Sequence, residues 1–375
     1  MKRLAKKETR KGERGSVLAM SAISMLALLL ATGLAVDVSR FYTAKAELQN
    51  AADAAALAGA SQLNSTSGGI KCAITEATKA LNQYDFKKNL TINSADITFA
   101  SNLNGTYVDS VSAIGSPTNI RFVKVSIPPQ PVGVTFAAIV LGPTLNIPAK
   151  ATAGLSVGLT MNKFYTAYTF IESPAAPIVK GAVVTLNAQA YNNTSPTSYR
   201  VLAGPDGDLL LTGPMHAYGY IGSDYNIAQL SAAEMCRYAK IGTNTRFGDY
   251  SPTNVHPSVN PVDEPPDFIT QENISYQQYT DMQGNGVVQD SRGVKNRRIM
   301  TVPIASNTTY DVPSRTVTSN RLAAFFIRKK MATVPTTTNC NLDVEYIGAP
   351  LAVPEGTYSP GDSAMSELTI PVLYK

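Results

Sequence analysis

Residues able to do chemistry are sparse in this chain and stand apart from one another. The two histidines, His216 and His256, belong to no HExxH or other i, i+4 pair, so a helix-borne metal site is not expected. There is no GxSxG elbow, no GxxxxGK[ST] phosphate loop and no dinucleotide glycine fingerprint after a strand-like run. Gly204-Pro205-Asp206-Gly207-Asp208 sets two carboxylates among glycines. It lacks the other ligands and the distal Glu of an EF-hand calcium loop, and reads as a turn. His216, between Met215 and Ala217, reads as a half-buried packing residue. The cysteines Cys72, Cys236 and Cys340 show no CxxC spacing, which argues against structural zinc. Outside the cytoplasm thiols tend to pair, and three allow one intramolecular bridge with one left over. Cys236 and Cys340 both fall in the C-terminal part and are the favoured pair. With no convergent acid, base or nucleophile, the chain does not read as an enzyme, and no cofactor, metal or small-molecule substrate is expected.

The elements that would position any site begin with a membrane-sized one. Ser16 to Val36 is an uncharged apolar run of 21 residues. At ~1.5 Å per residue it reaches ~31 Å, the thickness of a bilayer core. Seven basic residues precede it (Lys2, Arg3, Lys6, Lys7, Arg10, Lys11 and Arg14) against Glu8 and Glu13, so the first 14 residues hold the chain's whole net charge of +5. Basic residues beside a span stay cytoplasmic, which sends the remaining ~340 residues across the membrane. No net basic charge is left beyond the tail, so nucleic acid is not an expected partner. The run is longer than the apolar core of a cleaved signal peptide, although Gly33-Leu34-Ala35 offers a weak exit site. A prepilin-type cut is disfavoured, because cutting at Gly15 or Gly12 leaves Met20 or Val17 where a Glu is wanted.

Helical character continues past the run. Nine alanines fall among the 17 residues from Ala44 to Ala60, and alanine is the best helix former. Apolar or small residues recur at Leu34, Val38, Phe41, Ala44, Leu48, Ala51, Ala55 and Ala58, in steps of three or four that make one helix face. Asp37, Arg40, Glu47, Asn50 and Asp53 are expected largely off that stripe. A small-residue face lets another element come close. An intramolecular packing role is favoured over a partner interface.

Asn64 to Gly69 (NSTSGG) is a breaker cluster, and Lys71 to Gln83 reads as a short helix. Strand-like runs follow at Leu90–Phe99, Tyr107–Ala113 and Ile120–Ile127, the last stopped by Pro128-Pro129, with another at Leu145–Leu155. Val132 to Leu141 is a compact apolar segment. From about Val157, Gly, Pro, Asn, Thr and Tyr become frequent and apolar runs short. Ala182–Ala190, Leu209–Leu211, Ile299–Ile304, Arg321–Ile327 and Leu368–Leu373 are the clearest buried segments, and Asp249 to Gly293 reads as a long excursion of loops. Most of the 18 tyrosines lie beyond residue 160. They suit protein contact, but an amphipathic skin on sheets is the favoured reading.

The expected class is α+β. A basic cytoplasmic tail (1–14) leads into a transmembrane helix (15–36) and an Ala-rich extracytoplasmic helix (37–63). A first α+β periplasmic lobe (64–156) and a second, β-rich one (157–375) follow.

The N-terminal block resembles the TadE/TadG-like family of Flp (tight adherence) pilus assembly proteins. The resemblance is carried by RGSV at Arg14–Val17, the apolar span, GLAVDVSRFY at Gly33–Tyr42 and LQNAADAAALAGA at Leu48–Ala60. Weaker similarity extends to Thr135–Ala153, to NTRFGDY at Asn244–Tyr250, to RRIMTVPI at Arg297–Ile304 and to LAAFFI at Leu322–Ile327. Many TadG proteins carry a von Willebrand A domain with a DxSxS metal motif. The nearest match here, Asp37-Val38-Ser39-Arg40-Phe41, lacks the second Ser, so no metal site is carried over. The resemblance implies a single-pass protein of the bacterial inner membrane, cytoplasmic at its N-terminus and mostly periplasmic. It would contact the lipid bilayer and other pilus-assembly or secretion proteins of the envelope. The alternative is a pilus-associated or surface adhesin whose C-terminal lobe binds an external ligand.

Overall fold

The computed structural model describes residues 13–80, 90–138, 142–165, 168–188, 199–201, 217–220, 224–227, 236, 240, 243–247, 269, 271–286, 298–311, 316–331, 340–353, 356–357 and 367–374. Within them the chain is α+β: one long apolar helix followed by a β-rich region.

Helix α1 (Glu13–Ala60) is unbroken over 48 residues, a rod of ~72 Å. Strong helix formers fill it, and no proline interrupts it. It ends at the breaker cluster, where Ser65 takes a positive φ of 62°. The same cluster starts the next helix, α2 (Ser67–Ala80). Thr66 Oγ1 accepts the Gly69 N–H at 3.0 Å, and Asn64 Oδ1 accepts from the Thr66 N–H and hydroxyl at 3.1 and 2.7 Å. Side-chain acceptors thus cover donors that the first turn leaves open.

The first sheet is antiparallel, in the order β1 (Ile97–Ala100), β2 (Phe122–Gly133), β3 (Thr144–Leu155) and the C-terminal strand Pro371–Tyr374. Alternation along the strands puts Val123, Val125, Ile127, Ala149, Ala151 and Ala153 on one buried face. That face meets the second half of α1, where Ala44, Leu48, Ala51, Ala52, Ala55, Ala56 and Ala60 are buried in the same core. Alanine faces alanine across much of the contact, so helix and sheet approach closely.

Three expectations are corrected here. Tyr107–Ala113 is not a strand: only Val108 bridges Phe99, and Ser110–Gly115 forms a short helix, α3. The cause is local, because the Asp109 side chain caps it by accepting the Ser112 N–H at 2.8 Å. Leu90–Phe99 is strand only from Ile97, after a 3-10 turn at Ser94–Asp96 closed by Asn93 N–H donating to Asp96 Oδ2 at 2.9 Å. Pro128-Pro129 does not stop β2. The prolines sit in a register shift between Ile127 and Gln130, where a missing ladder N–H is tolerated.

The second sheet has seven strands. Their order is Ile299–Asp311, Tyr168–Glu172, Tyr199–Val201, Val183–Ala188, Cys340–Tyr346, Thr316–Ile327 and Asp224–Asn226. Ile299–Asp311 also pairs with Thr316–Ile327, so six of these strands close into a ring. Phe170, Leu186, Met300, Val302, Ala323, Phe325, Val344 and Tyr346 share one core on its inner side. The alternate residues Leu322, Ala324 and Phe326 join a second core with Tyr276 and Tyr279 of helix α4 (Tyr276–Gly284). That helix corrects the reading of 249–293 as loops. Ser275 caps it in a box with Gln278, each side chain accepting the other's backbone N–H at 3.2 and 2.8 Å.

Among the described residues, the sequence ranges 64–156 and 157–375 meet at the C-terminal strand and at helix α2. The C-terminal strand completes the first sheet beside β3. Helix α2 also packs on α4, with Ser67 Oγ donating to Asp281 Oδ1 at 2.8 Å and Lys71 Nζ to Asn285 Oδ1 at 2.9 Å. Any side chain at Gly68 would strike the Thr280 carbonyl, with the added Cβ only 2.0 Å from its oxygen.

Candidate interaction site where the helix leaves the span

Two halves of α1 have opposite surroundings. From Val17 to Val38 the large apolar side chains face outward, with Leu18 74 % and Leu26 63 % exposed. From Ala44 onward the stripe is covered by the sheet. Of the stripe residues, Ala44, Leu48, Ala51 and Ala55 are buried, while Phe41 and Ala58 are half-buried. The stripe is therefore an intramolecular packing face in this fold. Its start differs from the periodicity reading, because Gly33 and Asp37 are the buried positions and Leu34 and Val38 stay exposed.

The reason lies in the tip of the β2–β3 hairpin, described at residues 134–138 and 142–143. Asp37, expected off the stripe, is fully buried beneath it. Its Oδ1 accepts the Thr135 N–H at 3.0 Å, and its Oδ2 accepts those of Phe136 and Ala137 at 2.7 and 2.8 Å. One carboxylate thus satisfies three consecutive backbone donors. Arg40 Nη1, one helical step on, donates to Thr135 Oγ1 at 2.9 Å. One turn before Asp37, the Phe136 ring lies against Gly33. A Cβ there would sit 2.3 Å from the ring, so only glycine allows this approach. GLAVDVSR is thus a docking sequence: Gly33 for closeness, Asp37 for the backbone, Arg40 for the hydroxyl.

Further along the helix a cleft of about 660 Å³ opens between α1 and the sheet edge, lined by Gln49, Asp53, Tyr107, Lys124, Lys150 and Tyr374. Gln49 Nε2 donates to Asp53 Oδ1 at 2.7 Å and to the Lys150 carbonyl at 2.9 Å. Lys124 Nζ lies 3.4 Å from the centre of the Tyr107 ring. The cleft offers polar and aromatic contacts.

In the β-rich region three of the weaker similarity segments converge on Arg298. It is 1 % exposed. Its guanidinium donates to the carbonyls of Ile327, Gln271 and Arg328 at 2.9, 2.7 and 3.0 Å. It stacks on Phe247 and Phe326, 4.0 and 4.6 Å from the ring centres. Burial pulls its pKa down to about 10. This is a structural clamp that joins NTRF, RRIM and LAAFFI in space. A half-buried ionic group ties down the C-terminal segment. Arg321 pairs with Glu172 and Glu367, each at 2.9 Å, and the Tyr346 hydroxyl donates to Glu367. Burial pushes the Glu367 pKa up to about 7 against the pull of Arg321. Its second oxygen is buried without a hydrogen bond.

Cys236 is held in a disulfide, and Cys72 remains a thiol. The Cys340 side chain, His216, His256, the 204–208 turn, Lys2, Arg3, Lys6, Lys7, Arg10 and Lys11 lie outside the described residues, as does the side chain of Arg14. Among the described residues no group of three or more His, Cys, Asp or Glu could hold a metal ion. Sequence reasoning missed Asp37 and Arg298 as organising residues. Asp37 was legible as a carboxylate at the end of the apolar run, but its partners lie about 100 residues away.

Comparison with curated proteins finds no match, and neither does comparison with solved structures. The N-terminal block does match a family, over the very stretch in which the span joins the packing stripe. The match supports a role in pilus assembly, and the matched family is one of structural rather than catalytic proteins. Residues 15–62 match the model of the putative Flp pilus-assembly TadE/G-like family.

Proposed function

We propose that this chain is a single-pass inner-membrane protein that anchors or assembles a Flp pilus-secretion machine through periplasmic protein contacts. One observation carries the reading: a single helix exposes large apolar side chains over 17–38 and buries an alanine face in a β-rich body beyond them. That arrangement fits a membrane anchor rigidly joined to a periplasmic scaffold, and the family match falls on the join. The basic tail sets the orientation, with the N-terminus in the cytoplasm. The division into tail (1–14), span (15–36), helix (37–63) and two lobes (64–156 and 157–375) belongs to the same proposal. So does pairing of Cys236 with Cys340, which peptide mapping of the non-reduced protein tests directly.

Deleting the gene, counting surface filaments and blotting for pilin in the inner membrane tests the function. Pilin present with filaments absent is the expected result. Normal filaments would overturn the assembly reading, and normal filaments with lost attachment would move the function to an adhesin.

A further inference from the structure

The hairpin tip is placed where the span ends, and its chemistry suits lipid rather than water. Gly33 lies inside the apolar run, three residues before Val36, so the Phe136 ring packed on it sits ~4.5 Å within the apolar end of the helix. Despite that contact, Phe136 stays 49 % exposed, beside Leu34 and Val36 at 52 and 49 %. Leu34 and Val36 flank Gly33 on either side of the helix, so the exposed part of the Phe136 ring lies between apolar side chains of the span. Backbone N–H groups entering a water-poor layer must be satisfied from within the protein. Asp37 does this for Thr135, Phe136 and Ala137. Within the tip itself, the Val134 N–H donates to the Pro143 carbonyl at 2.9 Å and the Gly142 N–H to that of Ala138 at 3.0 Å. Gly142 takes φ +80°, which closes the tip tightly. Polar contact resumes one step beyond, at Arg40 and the Thr135 hydroxyl. The order along the helix is therefore aromatic, carboxylate-capped backbone, cation: the order of a membrane interface crossed from inside outward.

We propose that the β2–β3 hairpin tip is a second membrane contact, with Phe136 seated in the outer-leaflet interface beside the last turn of the span and Asp37 supplying the acceptors its backbone needs there. The inference rests on the reading that residues 16–36 cross the bilayer. The partner is the acyl and headgroup boundary of the lipid itself. Two contacts, helix and hairpin, would fix the tilt of the periplasmic body against the membrane. A single helix alone leaves the body able to rotate about its axis.

The chain contains no tryptophan, so an introduced indole reports its own surroundings. The full chain is reconstituted into vesicles of phosphatidylcholine and phosphatidylglycerol, some carrying bromine near the headgroup and some near the methyl ends. Four variants are compared: Phe136→Trp, Ala138→Trp, Leu26→Trp within the span, and Val111→Trp on α3, at the opposite end of the hairpin. The expected result is blue-shifted emission from Phe136→Trp, quenched most by bromine near the headgroup. Leu26→Trp should be quenched most by deep bromine and Val111→Trp by neither. Water-like, unquenched emission at position 136 with Leu26→Trp quenched would overturn the proposal and leave the span intact. Loss of quenching at position 26 as well would sink the span, and the proposal with it. Blue-shifted emission without quenching would mean that protein, such as a second copy, covers the tip, and that also overturns the lipid assignment. Should the larger ring not fit over Gly33, Ala138→Trp reports on the same tip, and each outcome carries the same meaning there.

Discussion

The two halves of α1 are one helix with one backbone geometry, and side-chain size alone sends them to different environments. Leu18, Leu26 and Leu30 stand out from the first half with nothing packed over them. Ala51, Ala52, Ala55 and Ala56 line the second half and vanish beneath the sheet. Large branched side chains present apolar area to a surrounding apolar medium, whereas small ones bring the helix axis within reach of β3. The boundary between the two is a buried carboxylate, Asp37. Charge repeats the contrast: Asp37 is satisfied by three N–H donors, while Glu367, on the segment that returns beside the stripe, is half-buried with one buried oxygen lacking a hydrogen bond.

The strongest way to break the comparison is to charge the exposed half. Leu26→Arg should cost about 3 kcal/mol of insertion free energy and remove much of the protein from the membrane fraction. Undiminished retention in carbonate-washed membranes would show that position 26 does not face the bilayer core. The carboxylate contrast is tested by pH. The Glu367 pKa stands above its ordinary 4.5, at about 7, so the folded state holds the proton more tightly than the unfolded one. Its stabilising effect is complete below about pH 4.5 and is lost as pH rises to about 7, by up to about 3 kcal/mol. Glu367→Gln should flatten that slope in thermal melts, and an unchanged slope would remove Glu367 as its source. In the buried half, Ala55→Leu should overpack the helix against the sheet and cost about 1–3 kcal/mol, read as a lowered melting temperature of the extramembrane body. At the boundary, Asp37→Asn leaves a single side-chain acceptor facing three donors. Faster hydrogen exchange at Thr135–Ala137, with the rest of the sheet unchanged, is expected. Smallest of all, Leu34→Ala on the exposed face should leave the body's melting temperature unaltered, and a drop like that of Ala55→Leu would erase the distinction between the halves.

Much of this was readable from short-range pattern. The span, the Ala-rich continuation, the breaker at NSTSGG and strand Thr144–Leu155 all depend on residues within a few positions of one another. The capping signal of α4, Ser275 with Gln278 three residues on, was equally local and was overlooked in a polar, proline-bearing stretch. Pro128-Pro129 misled for the opposite reason. A proline's effect depends on whether the facing strand needs its N–H, and here a register shift removes that need.

By itself, the sequence determined the membrane-sized apolar run, its charge asymmetry, the small-residue face and the α+β class. Each follows from composition and periodicity, which act through neighbouring residues. The tertiary structure alone decided that the stripe runs through Gly33 and Asp37, that Arg298 clamps three distant segments, and that the last strand closes the first sheet. Those facts depend on donors and acceptors far apart in the chain, and a carboxylate or guanidinium carries no local sign of the backbone groups it will meet.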